Sequence, residues 1–503
     1  MTESLTNSDA EVRHYDDRLT NEDLAPLREQ RWGSYNFFAF WMSDVHSVGG
    51  YVTAGSLFAL GLAAWQVLVA LLIGITIVYW LCNLVARPSQ ATGTPYPVIS
   101  RVAFGVLGAN IPAIIRGLIA VAWYGIQTYL ASASLVVVAL KLWPGLAPYA
   151  EVDEYGFAGL SLLGWAAFLA MWVAQAAVFW NGMEAIRKFI DFCGPAVYVV
   201  MFLLAGYLVL QAGWGAIDLN LVEVSITGWA AVPVMLTAIA LVVSYFSGPM
   251  LNYGDFARYG RTFAAVKRGN FLGLPINFLA FALLVVITTA ATLPVFGELI
   301  TDPVETVARL DNTYAVVLGA LTFMIATVGI NIVANFVSPA FDFSNVAPRK
   351  VSFRTGALIT SVLAVLIFPW KLYSDPQGYI FTWLGLVGGL LGTVAGILIA
   401  DYWILRRARL HLVDLYRRGG RYWYGGGWNW RAVLAFAVGG VLAIGGADFH
   451  PLIEGRPVPF LEPLADYGWA VGLGTSLVLY LTLMLLPATR PHTEADGHRA
   501  GQP

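Results

Sequence analysis

Apolar runs long enough to cross roughly 30 Å of hydrocarbon constrain this chain most, because each must become a helix that closes its backbone hydrogen bonds internally. Twelve such runs lie near residues 36–61, 63–85, 110–140, 158–180, 186–211, 231–251, 269–293, 314–338, 355–370, 379–405, 431–447 and 467–487. No alternation of the β-barrel kind is present. Hydrophobic residues make up 58% of the 503 and charged residues 12%, against roughly 25% charged in a soluble domain. The chain therefore reads as an all-α integral membrane protein, with the lipid bilayer as its first partner. A net charge of −2 supplies no basic excess, so no nucleic-acid partner is expected.

Lys and Arg set the orientation. With the N-terminus placed in the cytoplasm, 24 of the 29 fall on the cytoplasmic side. Lys141, Arg309, Lys371 and Arg456 fall on the other, and Arg116 lies within the third span. The asymmetry predicts twelve spans with both termini cytoplasmic, in an inner or plasma membrane. The polar first ~30 residues contain no apolar h-region, so no cleaved signal is expected. Cys82 and Cys193 fall in or beside spans and read as buried apolar residues. The sequence contains no HExxH, GxSxG or P-loop motif, and no enzyme is expected.

The first span carries SDVHSVGGYVTAG at 43–55, polar residues where an unbroken apolar helix is cheapest. Irregular backbone at membrane depth survives where it lines a protected cavity, and matched interruptions in two halves of a transporter mark its binding site. The sixth span supplies the second interruption, with Gly248 and Pro249 in VVSYFSGPMLNYGDF. Either patch alone reads as close helix packing. Together, Gly49–Gly50 and Gly248–Pro249 read as helix breaks five spans apart. That spacing predicts two five-helix repeats of inverted topology, at 34–211 and 225–405. They are preceded by a tail at 1–33 and followed by a basic loop at 406–430, two further helices at 431–487 and a tail at 488–503.

Polar side chains in the spans supply a candidate site. Trp123 and Gln127 in AWYGIQT lie four residues apart, on one helix face. An indole beside an amide suits a flat heterocycle that stacks and exchanges hydrogen bonds. Tyr245 and Phe246 lie beside the second break, with Phe246 a candidate opposing ring. Asn331 and Asn335 share a face of the eighth span. Each residue singly also fits a helix-to-helix contact.

Beyond these residues, the chain resembles the nucleobase:cation symporter-1 family, whose members carry cytosine, uracil, allantoin and hydantoins. The resemblance runs through LTNEDLAPL (19–27), FWMSDVHSVGGY, TGTPYPVISRVAFG, AWYGIQT, LNYGDFARYGR, ANFVSPAFD, FPWKL and ADYWILRRARLHLVDLY. It implies the five-plus-five inverted-repeat, LeuT-like fold. It also implies substrate contacts at Trp123 and Gln127, an asparagine reading the ring's polar edge at Asn335, the sixth-helix aromatic at Phe246, and a first-helix contact at Ser47, where several relatives carry an amide.

For the coupling ion, the resemblance points to the positions of Ser43, Ala326, Gly329 and Ile330. The two hydroxyl ligands that sodium-coupled relatives place on the eighth helix are here Gly329 and Ile330. Proton coupling is therefore placed ahead of sodium, with Asp44 and His46 as candidate carriers, since ionisable groups within a bilayer are costly and mark ion routes. Asp44 paired with Arg116 in a packing role is the alternative. No cofactor is expected beyond the coupling ion, H+ or Na+.

The sequence thus reads as a symporter importing a small flat nitrogen heterocycle by alternating access. Uracil is the first expectation and allantoin or a hydantoin the second, because Phe246 and Ser47 differ from the allantoin-type pattern. An uncoupled facilitator or channel is the alternative of another class. Oligomeric state is left open, a monomer included.

Overall fold

The computed structural model describes residues 15–221, 225–373, 376–447 and 457–486. The expected tail at 488–503 and Arg456 lie outside the described residues, as does the chain before residue 15.

Nine helices are long and apolar enough to cross a membrane among the described residues. Two shorter apolar helices and a divided first helix complete twelve spans. The first, α1, has two halves, Ser34–Val45 and Val48–Ser56. Next come α2 (Ala64–Thr92), α3 (Asn110–Leu142), α4 (Leu162–Trp180) and α5 (Gly182–Ala212). They are followed by α6 (Ala231–Leu251), α7 (Phe263–Phe296), α8 (Thr313–Val346), α9 (Phe353–Leu366) and α10 (Thr382–Leu405). The last two are α11 (Trp430–Ile444) and α12 (Gly468–Leu485).

Small residues let these helices approach, which in lipid is the main source of helix affinity. A Cβ at Gly269 would lie 2.4 Å from Phe37 Cβ, and one at Gly273 the same distance from Trp41 Cβ, so α7 holds the first half of α1 at backbone contact. Trp41 Nε1 donates to Asn270 Oδ1 at 2.8 Å, and Asn270 Nδ2 to Asn83 Oδ1 at 3.0 Å, extending the tie to α2. Gly392 and Gly396 of α10 do the same for α12, where a Cβ would meet the carbonyls of Trp469 and Leu473. Cys82 and Cys193 are free and buried.

Both interruptions are displaced from the glycines that pointed to them. In α1 the helix stops at Val45 and restarts at Val48, so the gap is His46–Ser47, and Gly49 and Gly50 lie in the next helical turn. The orphaned amides at the restart are capped: Gly50 N donates to Ser47 Oγ (2.9 Å) and Val48 N to Thr327 Oγ1 of α8 (3.3 Å). In the sixth span Gly248 and Pro249 remain helical and the helix ends at Leu251. Pro249 falls in the last turn, where its missing donor removes one hydrogen bond without ending the helix. The interruption follows at Asn252–Tyr253, before a single turn at Gly254–Ala257.

Three spans contain π-helical stretches: Leu272–Ile276 in α7, Asn331–Val337 in α8 and Ala400–Leu405 in α10. The α8 stretch contains both candidate asparagines, and such bulges concentrate at functional sites.

The end bearing the basic loops is closed by residues 15–32. Tyr15 stacks on Tyr416 with ring centroids 4.3 Å apart, and Asn21 Nδ2 reaches Ser344 Oγ at 2.8 Å. Asp23 Oδ2 accepts from Phe353 N at 2.8 Å. The buried Arg258 guanidinium donates to the carbonyls of Gly93, Asp23 and Ala25.

Candidate substrate-binding site

The break in α1 brings its second half against α3, α6 and α8. A Cβ at Gly49 would lie 3.1 Å from Gln127 Nε2, so Gly49 is where α1 backs onto the amide of α3. Ser47 Oγ, besides capping the restart, lies 3.3 Å from the Tyr245 hydroxyl, which also faces Gln127. Tyr245 sets its ring edge-on to Trp123, with centroids 5.5 Å apart and planes at 82°. Ser47, Gly49, Trp123, Gln127 and Tyr245 therefore form one contiguous cluster. Gln127 is buried, and its Oε1 has no protein hydrogen-bond partner among the described residues.

Tyr245, rather than its neighbour Phe246, packs its ring against Trp123. Phe246 points from the same turn to the other side, edge-on to Phe278 at 5.3 Å and 6.5 Å from Trp41. There, with Tyr245, Val45, Gly50 and Phe278, it lines an apolar pocket between α1, α2, α6 and α7. A ring stacked on the side of Trp123 facing Tyr245 would have to displace Tyr245.

The two asparagines of α8 divide their work. Asn331 Nδ2 is surrounded by Tyr124 O (3.0 Å), Thr128 Oγ1 (3.0 Å) and Gln175 Oε1 (2.7 Å). It is turned into the packing of α3, α4 and α8, away from the cluster at the α1 break. Asn335 Nδ2 donates to Asn331 Oδ1 at 3.2 Å. One Asn335 N–H is thereby used, leaving Oδ1 and the second N–H for another partner. Gln175 anchors the chain, with Nε2 also donating to Thr128 Oγ1 and Met171 O at 3.1 Å. Sequence reasoning passed over Gln175 and Thr327. The available signals were an amide isolated in the apolar run of α4 and a hydroxyl one helical turn before Asn331.

The candidate ion positions meet across α1, α5 and α8. A Cβ at Gly329 would lie 3.8 Å from Ser43 Cβ, and Ser43 Oγ donates to Ile190 O at 3.4 Å. Ala326, Gly329 and Ile330 supply no side-chain oxygen. No group of three or more His, Cys, Asp or Glu able to hold a metal occurs among the described residues. His46 faces away from the substrate cluster: Nδ1 is bonded to Met42 O, and the ring packs edge-on against Tyr198 (4.0 Å) and Phe281 (5.1 Å). Asp44 is fully buried and neither of its oxygens has a hydrogen-bond partner among the described residues. Arg116 does not pair with it. Its guanidinium donates to Ala334 O (2.9 Å), Gly248 O (3.3 Å) and Asn252 Oδ1 (3.4 Å).

The family described as permeases for cytosine/purines, uracil, thiamine and allantoin matches residues 25–472. The chain belongs to this family. Among curated relatives of this permease, the allantoin permease of Bacillus subtilis is 36% identical over 481 residues, covering 94% of this chain and 95% of its own. The purine-uracil permease of Arabidopsis thaliana is 31% identical, over 84% of this chain and 71% of its own. A solved nucleobase-cation-symport-1 family transporter, closed with bromovinylhydantoin bound, superposes with a TM-score of 0.75 at 23% identity, over 93% of this chain and 95% of its own. The fold is therefore the five-plus-five inverted repeat with two additional helices. This permease is a multi-pass membrane transporter and not an enzyme.

Proposed function

We propose that this permease imports allantoin or a closely related hydantoin-type ring, in symport with protons, by alternating access about the α1 and α6 interruptions. The observation that carries the ligand class is the fixed Asn335 amide. Its free Oδ1 and N–H complement the adjacent N–H and C=O of a cyclic imide or ureide. Trp123 supplies the stacking face, Gln127 and Ser47 complete the polar edge, and Tyr245 swings off the indole as substrate enters. Within that class, the 36% identity to an allantoin permease along nearly the whole of both chains favours allantoin over the uracil expected from Phe246 and Ser47.

Uracil is the second reading, supported by those two residues and by the purine-uracil relative at 31% identity. The absence of side-chain oxygens at Ala326, Gly329 and Ile330 favours the proton over sodium. The basic end is proposed to face the cytoplasm of a cell membrane, with repeats at 34–211 and 225–405.

Uptake of labelled allantoin by cells lacking their own carriers tests the proposal, with unlabelled uracil and hydantoin as competitors, a protonophore, and sodium-free buffer. Concentrative uptake of allantoin that the protonophore abolishes and sodium removal spares is expected. Uptake of uracil alone overturns the substrate assignment, and dependence on sodium alone overturns the proton.

A further inference from the structure

A second cluster of buried polar groups lies beyond the substrate site, toward the basic end. Asp255 sits on the turn after α6 and Asp342 near the end of α8, both fully buried. Asp255 Oδ1 accepts from Tyr96 N at 2.8 Å, while its Oδ2 and both oxygens of Asp342 have no protein hydrogen-bond partner among the described residues. The buried Ser338 hydroxyl faces Asp255, and the buried Tyr96 hydroxyl lies in the field of both carboxylates.

The groups facing the pair from each packed element are identifiable. From α3 comes Arg116; from the helix Tyr96–Phe104, Tyr96; from the turn after α6, Arg258; and from α8 itself, Ser338. Arg258 is committed to three backbone carbonyls, and Arg116 to two carbonyls and Asn252. Arg116 Nη1 has no partner. Asp44, on α1, acts electrostatically on the same guanidinium. With Asp44, Asp255 and Asp342 all ionised, three negative charges would face the two guanidiniums of Arg116 and Arg258, leaving one in excess, with none of the three in a direct ion pair among the described residues and in a place where an uncompensated charge is expensive. A metal cation would be opposed by the neighbouring guanidinium, whereas a proton removes the excess without needing a coordination shell.

We propose that Asp255 and Asp342 together hold the coupled proton, one proton between two carboxylates, with Arg116 as their common counter-charge. The inference rests on the proton-symport reading above and moves the carrier away from Asp44 and His46. Asp255 follows the interruption of α6, and Asp342 is on α8 beyond its π stretch, where a Cβ at Gly117 of α3 would lie 3.6 Å from Asp342 Cβ. Opening at the basic end would part the α6 segment from α3 and α8 and admit water. The proton then passes from carboxylate to water, and the free Nη1 of Arg116 is available to the ionised Asp342.

The test uses the full-length permease in proteoliposomes, with Asp255→Asn, Asp342→Asn and Asp342→Glu, reading gradient-driven accumulation and substrate counterflow separately. Both Asn variants are expected to keep counterflow but to accumulate substrate no further than the outside concentration, whatever the pH gradient. Asp342→Glu should restore accumulation. Protonophore-sensitive accumulation persisting in both Asn variants overturns the assignment. So does loss of counterflow in all three, which would make the carboxylates structural. A wild-type protein indifferent to protons would instead refute the proton-symport reading.

Discussion

Gln175 never reaches the proposed ligand, yet the structure gives it measurable influence on ligand affinity. Replacing it with leucine, of similar volume, removes its bonds to Asn331 (2.7 Å) and Thr128 (3.1 Å) while leaving Asn331 Nδ2 two other acceptors, Tyr124 O and Thr128 Oγ1. Interhelical side-chain hydrogen bonds in membranes average about 0.6 kcal/mol, so two cost about 1.2 kcal/mol. If that loss is felt as looser placement of the Asn335 amide, KM should rise by about eightfold. Vmax should change little, because no group of the transport cycle is removed. Initial rates of uptake over a concentration series measure both. Discrimination against a ring N-methylated analogue should fall in parallel, since it depends on Oδ1 facing the ring N–H. Gln175→Glu, which keeps the acceptor for Asn331, should recover part of the affinity. An unchanged KM and unchanged discrimination in a leucine variant that reaches the membrane at normal levels would refute the reasoning.

Further outcomes follow from single contacts. Tyr245→Phe removes the hydroxyl between Ser47 and Gln127; about 1 kcal/mol for one hydrogen bond predicts roughly a fivefold rise in KM by the same assay. Gly49→Ala sets a methyl 3.1 Å from Gln127 Nε2 and should weaken ligand binding, whereas Gly248→Ala meets Arg116 at 3.4 Å and should bind normally; titration of the purified variants by tryptophan fluorescence separates them. Tyr480→Phe leaves Asp401 Oδ1 without its 2.7 Å donor while Arg406 still holds Oδ2, and should lower stability by about 1–3 kcal/mol, read as the detergent melting temperature, with KM unaffected.

Much of the architecture was legible because its determinants are local and repetitive. Span length and a polar gap at SDVHS are each visible within a short window. The interruptions were placed two to four residues away because glycine and proline mark close approach and a lost donor. Where a helix actually stops depends on what captures its free amides. At α1 that capture is shared by Ser47 and by Thr327, 280 residues away from it in sequence. The same limit applies to Asn331 and Asn335. Their spacing puts them on one face of an α-helix, but the π stretch and the amide of Gln175 decide that one is turned into the scaffold. The titration range of His46 is legible in the sequence, whereas its packing between the rings of Tyr198 and Phe281, which come from distant spans, is not.

The segment at 15–32 carries a consequence for biogenesis. Its landing points include Tyr416 and Arg418, whose loop is made only after ten of the twelve spans have left the ribosome. Until then the segment's partners Gly93, Arg258, Ser344 and Phe353 can hold it, but the contacts of Tyr15 and Asp16 at its start are missing. Nascent chains stalled before residue 413 should therefore be cut by added protease near Tyr15 and Asp16 faster than chains stalled beyond α12. Assembly of this permease would then close with its earliest-made described residues, which bind late and report that the loop between α10 and α11 is in place.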